Sequence, residues 1–296
     1  MHQVTTAWFV RFLNAVDATD RVTRTRVRGV LGCGAGRRQE GWDFMARVHT
    51  GESALARAVR IVESFGLDDS TLTVSEIARR SGLHIATASR LIEELVGCGW
   101  LERENRRVRI GVRLWEVASR ASAAVGLREA AMPFMEDLHA VVGQHTQLAV
   151  LEGDEVLFIE RLTAPGAAIN YSRIAGRLPL HASSSGLVLL AYGPVDLQER
   201  VMGQPMRAYT DNTIRNARQL RSALAEVRRQ GYAFCAGHIY PETTGIAVPI
   251  RDAHGAVIAA VALIVPNDDS AYAQIPALQA TGRGISRVMA SHIRPG

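Results

Sequence analysis

A pair of short helices between Thr73 and Leu101, TVSEIARRSGLHIATASRLIEELVGCGWL, constrains this chain more than any other stretch. Thr73 and Glu76 have the spacing of a capping box, in which hydroxyl and carboxylate each take the other residue's backbone N–H. Val74, Ile77 and Ala78 then share one face of a helix. Gly82 supplies the left-handed turn that ends it. A second helix is expected from His84 to Val96, with Ala88, Leu91, Ile92 and Leu95 as its apolar stripe. That stripe leaves His84, Ile85, Thr87, Ser89 and Arg90 on or near the outward N-terminal end. In a helix-turn-helix this end enters the major groove, where small polar groups and one Arg suit base edges and phosphates.

The same segment alone also fits an ordinary helical hairpin. The residues C-terminal to it favour the helix-turn-helix. Trp100–Arg103 and Arg107–Ile110 read as two short strands around a Glu104–Asn105 turn, which makes a wing. Arg103, Arg106, Arg107 and Arg109 are placed there to touch phosphates. Upstream, Ser53 is expected to cap a helix with the stripe Leu55, Ala58, Val59, Val62 and Phe65. Residues 53–111 therefore read as a complete winged helix-turn-helix DNA-binding domain.

The charge pattern says how such a domain would bind. All 34 basic residues are Arg, a bias that a GC-rich genome explains without mechanism. Residues 1–50 hold 8 Arg against 4 acids, residues 51–115 hold 10 against 9, and residues 116–296 hold 16 against 16. The DNA-binding domain is thus only mildly basic, so the wing arginines must supply its electrostatic footprint. That weakness favours a dimer that pools contacts. Residues 1–52 form an N-terminal extension without steady periodicity. It reads either as a basic disordered arm or as a mis-assigned start ahead of Met45, and the second reading is favoured because helix signals begin just after Met45.

Three cysteines, Cys33, Cys98 and Cys235, are too few and too far apart for a disulfide framework or a CxxC metal site. A reducing, cytoplasmic setting fits them. The longest apolar run, Ala256–Val265, is too short to span a bilayer and reads as a buried strand. No cofactor and no resident metal are expected, and no membrane partner.

Residues 112–131 read as a linker helix with Leu114, Val117, Ala118 and Ala121 at helical spacing. It serves equally as a dimer seam or as a helix packed on its own chain. Residues 132–292 mix helices and strands. Met132-Pro133-Phe134 is expected to open a helix. Gln147–Leu151, Glu155–Leu162, Ile169–Ser172, Thr244–Arg251 and Ala256–Val265 read as strands, and Leu197–Met202, Ala217–Gln230 and 271–292 as helices. The fold class is α/β (α+β), a sensory domain rather than a βαβ nucleotide-binding unit. Its central motif is Arg177–Gly186, RLPLHASSSG, which places small polar residues at a helix start, where free N–H groups attract an anion. A single Ser would do no more than cap its helix; three in a row exceed what one cap needs.

The whole chain from about 53 to 292 resembles the IclR family of bacterial transcription regulators. GLHIATASRLIEEL is similar to that family's helix-turn-helix stretch, and RLPLHASSSG to its PLHASSxGKA signature. Tyr209–Ile214, Leu220–Ala233 and the ending GIAVPIRDAHGAVIAAVAL match further landmarks in order. The resemblance implies a GAF-like effector-binding domain, a homodimer or homotetramer, double-stranded operator DNA as partner, and control of a nearby catabolic or transport operon as a repressor or an activator. His84 stands where the family often has Pro, Ile85 where it often has a polar residue, and Leu187 where it usually has Lys. Phe234–Glu242 replaces a stretch usually rich in acids.

By resemblance and spacing, the effector is expected between Ala182, Ser183, Ser184 and Ser185 and the loop carrying Cys235, His238 and Glu242. A small organic or aromatic acid suits it, with its carboxylate at the helix start and its body among apolar side chains. The competing reading is a zinc- or ligand-dependent hydrolase-like enzyme using His181, Ser183–Ser185 and Cys235. Against it, no G-x-S-x-G elbow is present and no acid at recognisable spacing would orient a base. A DNA-organising protein without a ligand is disfavoured by the neutral, elaborate C-terminal region.

Overall fold

Side-chain caps start the helices of the N-terminal unit. The computed structural model describes residues 52–291 except 122, 169 and 171, and the expectations for residues 1–51 lie outside it. Ser53 accepts from the Ala56 N–H at 3.0 Å and opens α1 (Ala54–Glu63). A two-residue strand, β1 (Leu72–Thr73), leads into α2 (Val74–Ser81). Thr73 Oγ1 accepts from the Glu76 N–H at 3.2 Å while Glu76 accepts from the Thr73 N–H at 2.7 Å, so the capping box is complete. Gly82, with φ of 63°, ends α2 as expected. Next come α3 (Ile85–Gly97), β2 (Leu101–Glu104) and β3 (Arg107–Ile110). The three strands form one antiparallel sheet in the order β1-β3-β2, and Asn105 turns the wing with φ of 56°.

One small core holds this unit together: Ile61, Leu72, Ile77, Ala88, Leu91, Ile92, Leu101 and Val108 are all buried. The expected α1 stripe is corrected by it. Ile61 is fully buried, whereas Leu55 and Val59 are 73% and 44% exposed. Two rows of helical spacing pass through Ala58, Val62 and Phe65, and contact with the α2–α3 core selects the one through Ile61.

The chain continues into α4 (Val112–Ala121) and α5 (Ala123–Val142), and its contacts divide into two units between Ala121 and Ser122. Pro133 lies inside α5 rather than at a helix start. It costs that helix one backbone hydrogen bond without ending it.

The second unit is built on a six-stranded antiparallel sheet in the order β6-β5-β4-β9-β8-β7. Its strands are β4 (His145–Glu152), β5 (Glu155–Leu162), β6 (Arg177–Pro179), β7 (Ala233–Ala236), β8 (Thr243–Arg251) and β9 (Val257–Pro266). The expected strand over Ile169–Ser172 is not found: Asn170 and Ser172 are irregular, Ile169 and Tyr171 lie outside the described residues, and the edge pairing on β5 is made by Arg177–Pro179 instead. Asp252 Oδ1 accepts from the N–H groups of His254 and Ala256 and tightens the β8–β9 hairpin.

Alternation along the strands gives the sheet two apolar faces. One face is covered by α6 (Ser184–Ala191), α7 (Val195–Met202) and α8 (Ala217–Gln230), which bury Ala149, Phe158, Ala247, Ala260 and Ala262. The other is covered by α5, α9 (Ser270–Ala273) and α10 (Ile275–Ser291), which bury Leu148, Val150, Val248 and Val261. The fold class is the expected α+β one, with a winged helix-turn-helix ahead of a sheet-and-helix domain.

Candidate DNA-reading and effector sites

The outward end of α3 is built by its cap. His84 has extended backbone and its Nδ1 accepts from the Ala86 N–H at 3.3 Å, so the imidazole that departs from the usual Pro starts the helix itself. His84, Ile85 and Arg90 are exposed, Thr87 and Ser89 are half-buried, and Ala88, Leu91 and Ile92 face the core. The expected reading residues therefore share the free face. Arg90 is held loosely by Glu94 at 3.6 Å. Glu93, one helical turn on, pairs with Arg103 of the wing. These acids make the C-terminal half of α3 a poorer match for phosphates than its first two turns.

The wing arginines divide. Arg107 donates to the Thr71 hydroxyl at 2.6 Å and to its carbonyl at 3.0 Å, and Arg109 pairs with Glu102 at 2.8 Å. Those two and Arg103 brace the hairpin. Arg106, beside Asn105 at the tip, is exposed and has no partner among the described residues. Arg79, in the last turn of α2, is exposed in the same way. The sequence carries no signal for it, because the cap and the core face of α2 say nothing about its outer side. Arg80, its neighbour, pairs with Asp69, and that hydrogen bond holds the Asp69 carboxyl below the usual range.

In the second unit, Ala182–Ser185 are all buried. Ser183 caps α6 by accepting from the Gly186 N–H at 3.1 Å. By position, the N–H groups of Ser184 and Ser185 have no intrahelical carbonyl to meet. Gly186 lies so close to Leu180 that a Cβ on it would stand 2.4 Å from that residue's carbonyl oxygen. Ser184 lies over β8, its Oγ 3.0 Å from where a Cβ of Gly245 would be. Gly245 in turn pairs with Cys235 on β7. The helix start, Gly245 and Cys235 are thus brought together from three separate parts of the sequence.

Cys235 is buried, and burial pushes its thiol up to about 12. His238 is half-buried, with a solvent-inaccessible Nδ1 that has no hydrogen-bond partner. Burial, and behind it the nearby His181, hold its imidazole below the usual range. His181 Nε2 is hydrogen-bonded to the Arg207 carbonyl at 3.0 Å. Glu242 is exposed, and its contribution is a carbonyl that accepts from the Asn267 N–H at 2.9 Å. The stretch expected as one loop is half strand, since Ala233–Ala236 form β7.

The rest of that loop is held by contacts that sequence spacing does not foretell. Thr210 Oγ1 donates to the Gly237 carbonyl at 2.5 Å, Thr213 Oγ1 to the His238 carbonyl at 2.6 Å, and Asn212 Nδ2 to the Ala236 carbonyl at 3.2 Å. The YTDNTI stretch is a clamp on residues 236–238. Among the described residues, no group of three His, Cys, Asp or Glu side chains is arranged to hold a metal ion, so His181, Cys235 and His238 do not make a zinc set.

Residues 120–287 match the family described as bacterial transcriptional regulator IclR C-terminal, and residues 54–105 match the IclR helix-turn-helix domain. The chain belongs to the IclR family. The HTH-type transcriptional regulator XynR of Escherichia coli (strain K12) is 32% identical over 243 residues, covering 80% of this chain and 96% of that protein. The Pca regulon regulatory protein of Pseudomonas putida is 26% identical over 211 residues, 71% of this chain and 72% of its own length. Among solved structures, an IclR homolog from Microbacterium hydrocarbonoxydans complexed with 4-hydroxybenzoate is 44% identical, with a TM-score of 0.78 and coverage of 80% of this chain and 99% of that one.

As an IclR-family chain it is a transcription regulator with a DNA-binding winged helix-turn-helix and an effector-binding C-terminal domain. Relatives such as XynR and KdgR are named as HTH-type transcriptional regulators. Among the described residues, no helix is long and apolar enough to cross a membrane.

Proposed function

We propose that this IclR-family regulator binds a small aromatic acid beside the start of α6 and that the ligand changes its affinity for operator DNA. The observation that carries the reading is the meeting of Ser184 with Gly245 and Cys235, next to a loop that holds an unpartnered, buried His238 Nδ1. A buried polar atom without a partner is costly. A ligand hydrogen bond would relieve that cost. The structural relative that holds 4-hydroxybenzoate matches the chain over nearly its own whole length, which favours a ring acid over an aliphatic one.

Base reading is assigned to His84, Ile85, Thr87, Ser89 and Arg90, and phosphate contact to Arg106 and Arg79, with Arg107 positioning the wing. A homodimer supplies the second half-site. Val112 and Trp115 on α4 are 62% and 67% exposed at i, i+3 spacing, which suits that helix as a seam between two copies. The effector prefers one dimer arrangement and so shifts the spacing of the two α3 helices. A cytoplasmic regulator fits this reading better than an enzyme, because a thiol held near 12 supplies no thiolate at neutral pH.

Fluorescence anisotropy against DNA upstream of its own gene, with random competitor at two salt concentrations, tests the DNA half. Binding that survives competitor and responds to 4-hydroxybenzoate supports the reading; binding no tighter than to random DNA, with or without that acid, overturns it. Ser184→Glu puts a larger, charged side chain into the close approach to Gly245 and is expected to abolish the response to acid while operator binding persists.

A further inference from the structure

The sheet face beneath α6 carries an arginine whose charge no carboxylate answers among the described residues. Ala149 lies in the core under α6 and Leu148 in the core under α5 and α10, so alternation turns Gln147 toward α6. Gln147 is buried and pairs with Arg161 on β5 and with Ala262, another α6-side residue, on β9. Arg161 therefore points to the same side as Ser184. The same alternation sends the adjacent Glu160 the other way, where it is buried and ion-paired with Arg128 of α5. Neighbours in sequence, Glu160 and Arg161 do not neutralise each other.

Half-buried Arg161 has no Asp or Glu within ion-pair distance among the described residues. Its guanidinium donates to the Ser172 carbonyl, and the Gln147 amide donates to the Ser172 hydroxyl. That hydroxyl donates to Asn170 Oδ1 at 2.8 Å, which leaves Asn170 Nδ2 buried with no partner. An unanswered guanidinium and an unused amide donor beside one loop both call for an acceptor with charge. A carboxylate answers both, since Arg presents a fork that matches its two oxygens.

We propose that Arg161, with Asn170 Nδ2 as second donor, receives the carboxylate of the effector. The ring then runs along the sheet toward Gly245, and the start of α6 meets its far, uncharged end. This assignment rests on the acid-effector reading. From β5 to β8 there are three strand intervals, about 14 Å. The reach of an arginine plus a single substituted ring fits that span. A helix start offers only a partial charge, and Ser184 is already packed on Gly245.

Calorimetry with 4-hydroxybenzoate and its neutral isostere 4-hydroxybenzamide tests the assignment on the full chain. Wild type is expected to prefer the acid by roughly 10- to 100-fold, the worth of one charge-assisted contact. Arg161→Gln is expected to bind acid and amide alike, and Arg161→Lys to keep part of the preference. Asn170→Asp, close in size, is expected to lose the acid and retain the amide, and it answers the question if Arg161→Gln does not fold. An acid preference that persists in Arg161→Gln or Asn170→Asp overturns the assignment and leaves the effector reading standing. Wild type that binds neither compound overturns both.

Discussion

The hydroxyl of Thr213 donates to the carbonyl of His238 at 2.6 Å, joining two loops 25 residues apart. The same oxygen accepts from the N–H groups of Tyr209 and Thr210 at 3.0 and 2.9 Å, so its donor and both lone pairs are used. Thr213 is 2% exposed, so water does not reach its hydroxyl to replace it. Thr213→Val is therefore expected to leave the partly buried Tyr209 and Thr210 N–H groups without their acceptor and to destabilise the C-terminal domain by about 2 kcal/mol. Urea unfolding measures this. Thr213→Ser, which keeps the oxygen, should recover most of the loss; if it does not, the methyl packing and not the clamp matters.

Gly186 tolerates no side chain, because the Leu180 carbonyl oxygen stands where a Cβ would be. Gly186→Ala forces the start of α6 off Leu180 and should cost roughly 3 kcal/mol, as overpacking does. Denaturant midpoints read this directly. A midpoint equal to that of wild type would show that the turn before α6 yields freely.

Two imidazoles set a pH dependence. Burial is the main cause that holds both His145 and His238 below the usual range. The unfolded chain takes up protons near pH 6.5, while the folded chain resists until lower pH. More protons on the unfolded state mean that stability is full above about pH 6.5 and falls as pH drops toward the folded values. The urea midpoint should be lower at about pH 5.5 than at about pH 7.5, and His238→Gln should flatten part of that difference. An equally steep profile in the variant would remove His238 from the account.

DNA binding should separate two kinds of residue. Arg106→Ala is expected to weaken all sequences alike and to lower the salt slope by about one. Ser89→Ala and Ile85→Lys should instead change which sequence is preferred, with Ile85→Lys raising the salt slope. Anisotropy titrations over a salt series distinguish these; a changed sequence preference in Arg106→Ala would place the wing tip in a groove.

Capping and turn chemistry are legible residue by residue: Ser53, the Thr73–Glu76 pair, Gly82 and the Asp252–Gly255 turn all do what their types dictate. These features depend on neighbours within a few positions. Long-range choices are not legible. Ile61 rather than Leu55 packs inward because α2 and α3 sit on one side of α1, which spacing along α1 does not encode. Edge strand β6 pairs at Arg177–Pro179, since β5 selects its partner by register and not by apolar content. Ser184 and Cys235 each stand out singly in the sequence, yet Gly245, the residue that brings them together, stays hidden because glycine carries no pattern. Arg161 looks like an ordinary strand residue, because the pairing of its neighbour Glu160 with Arg128, 32 residues earlier, is a long-range contact that spacing does not encode.

The close approach of Ser184 to Gly245 has a consequence for how this receptor could diverge. That end of the site behaves as the fixed jaw of a caliper, since neither the strand glycine nor the crowded helix turn can change without moving the other. Selection for longer or shorter ligands would have to act at the opposite jaw, on Gln147, Arg161 and the loop around Ser172. Related chains with different effectors should therefore differ most in β4, β5 and that loop.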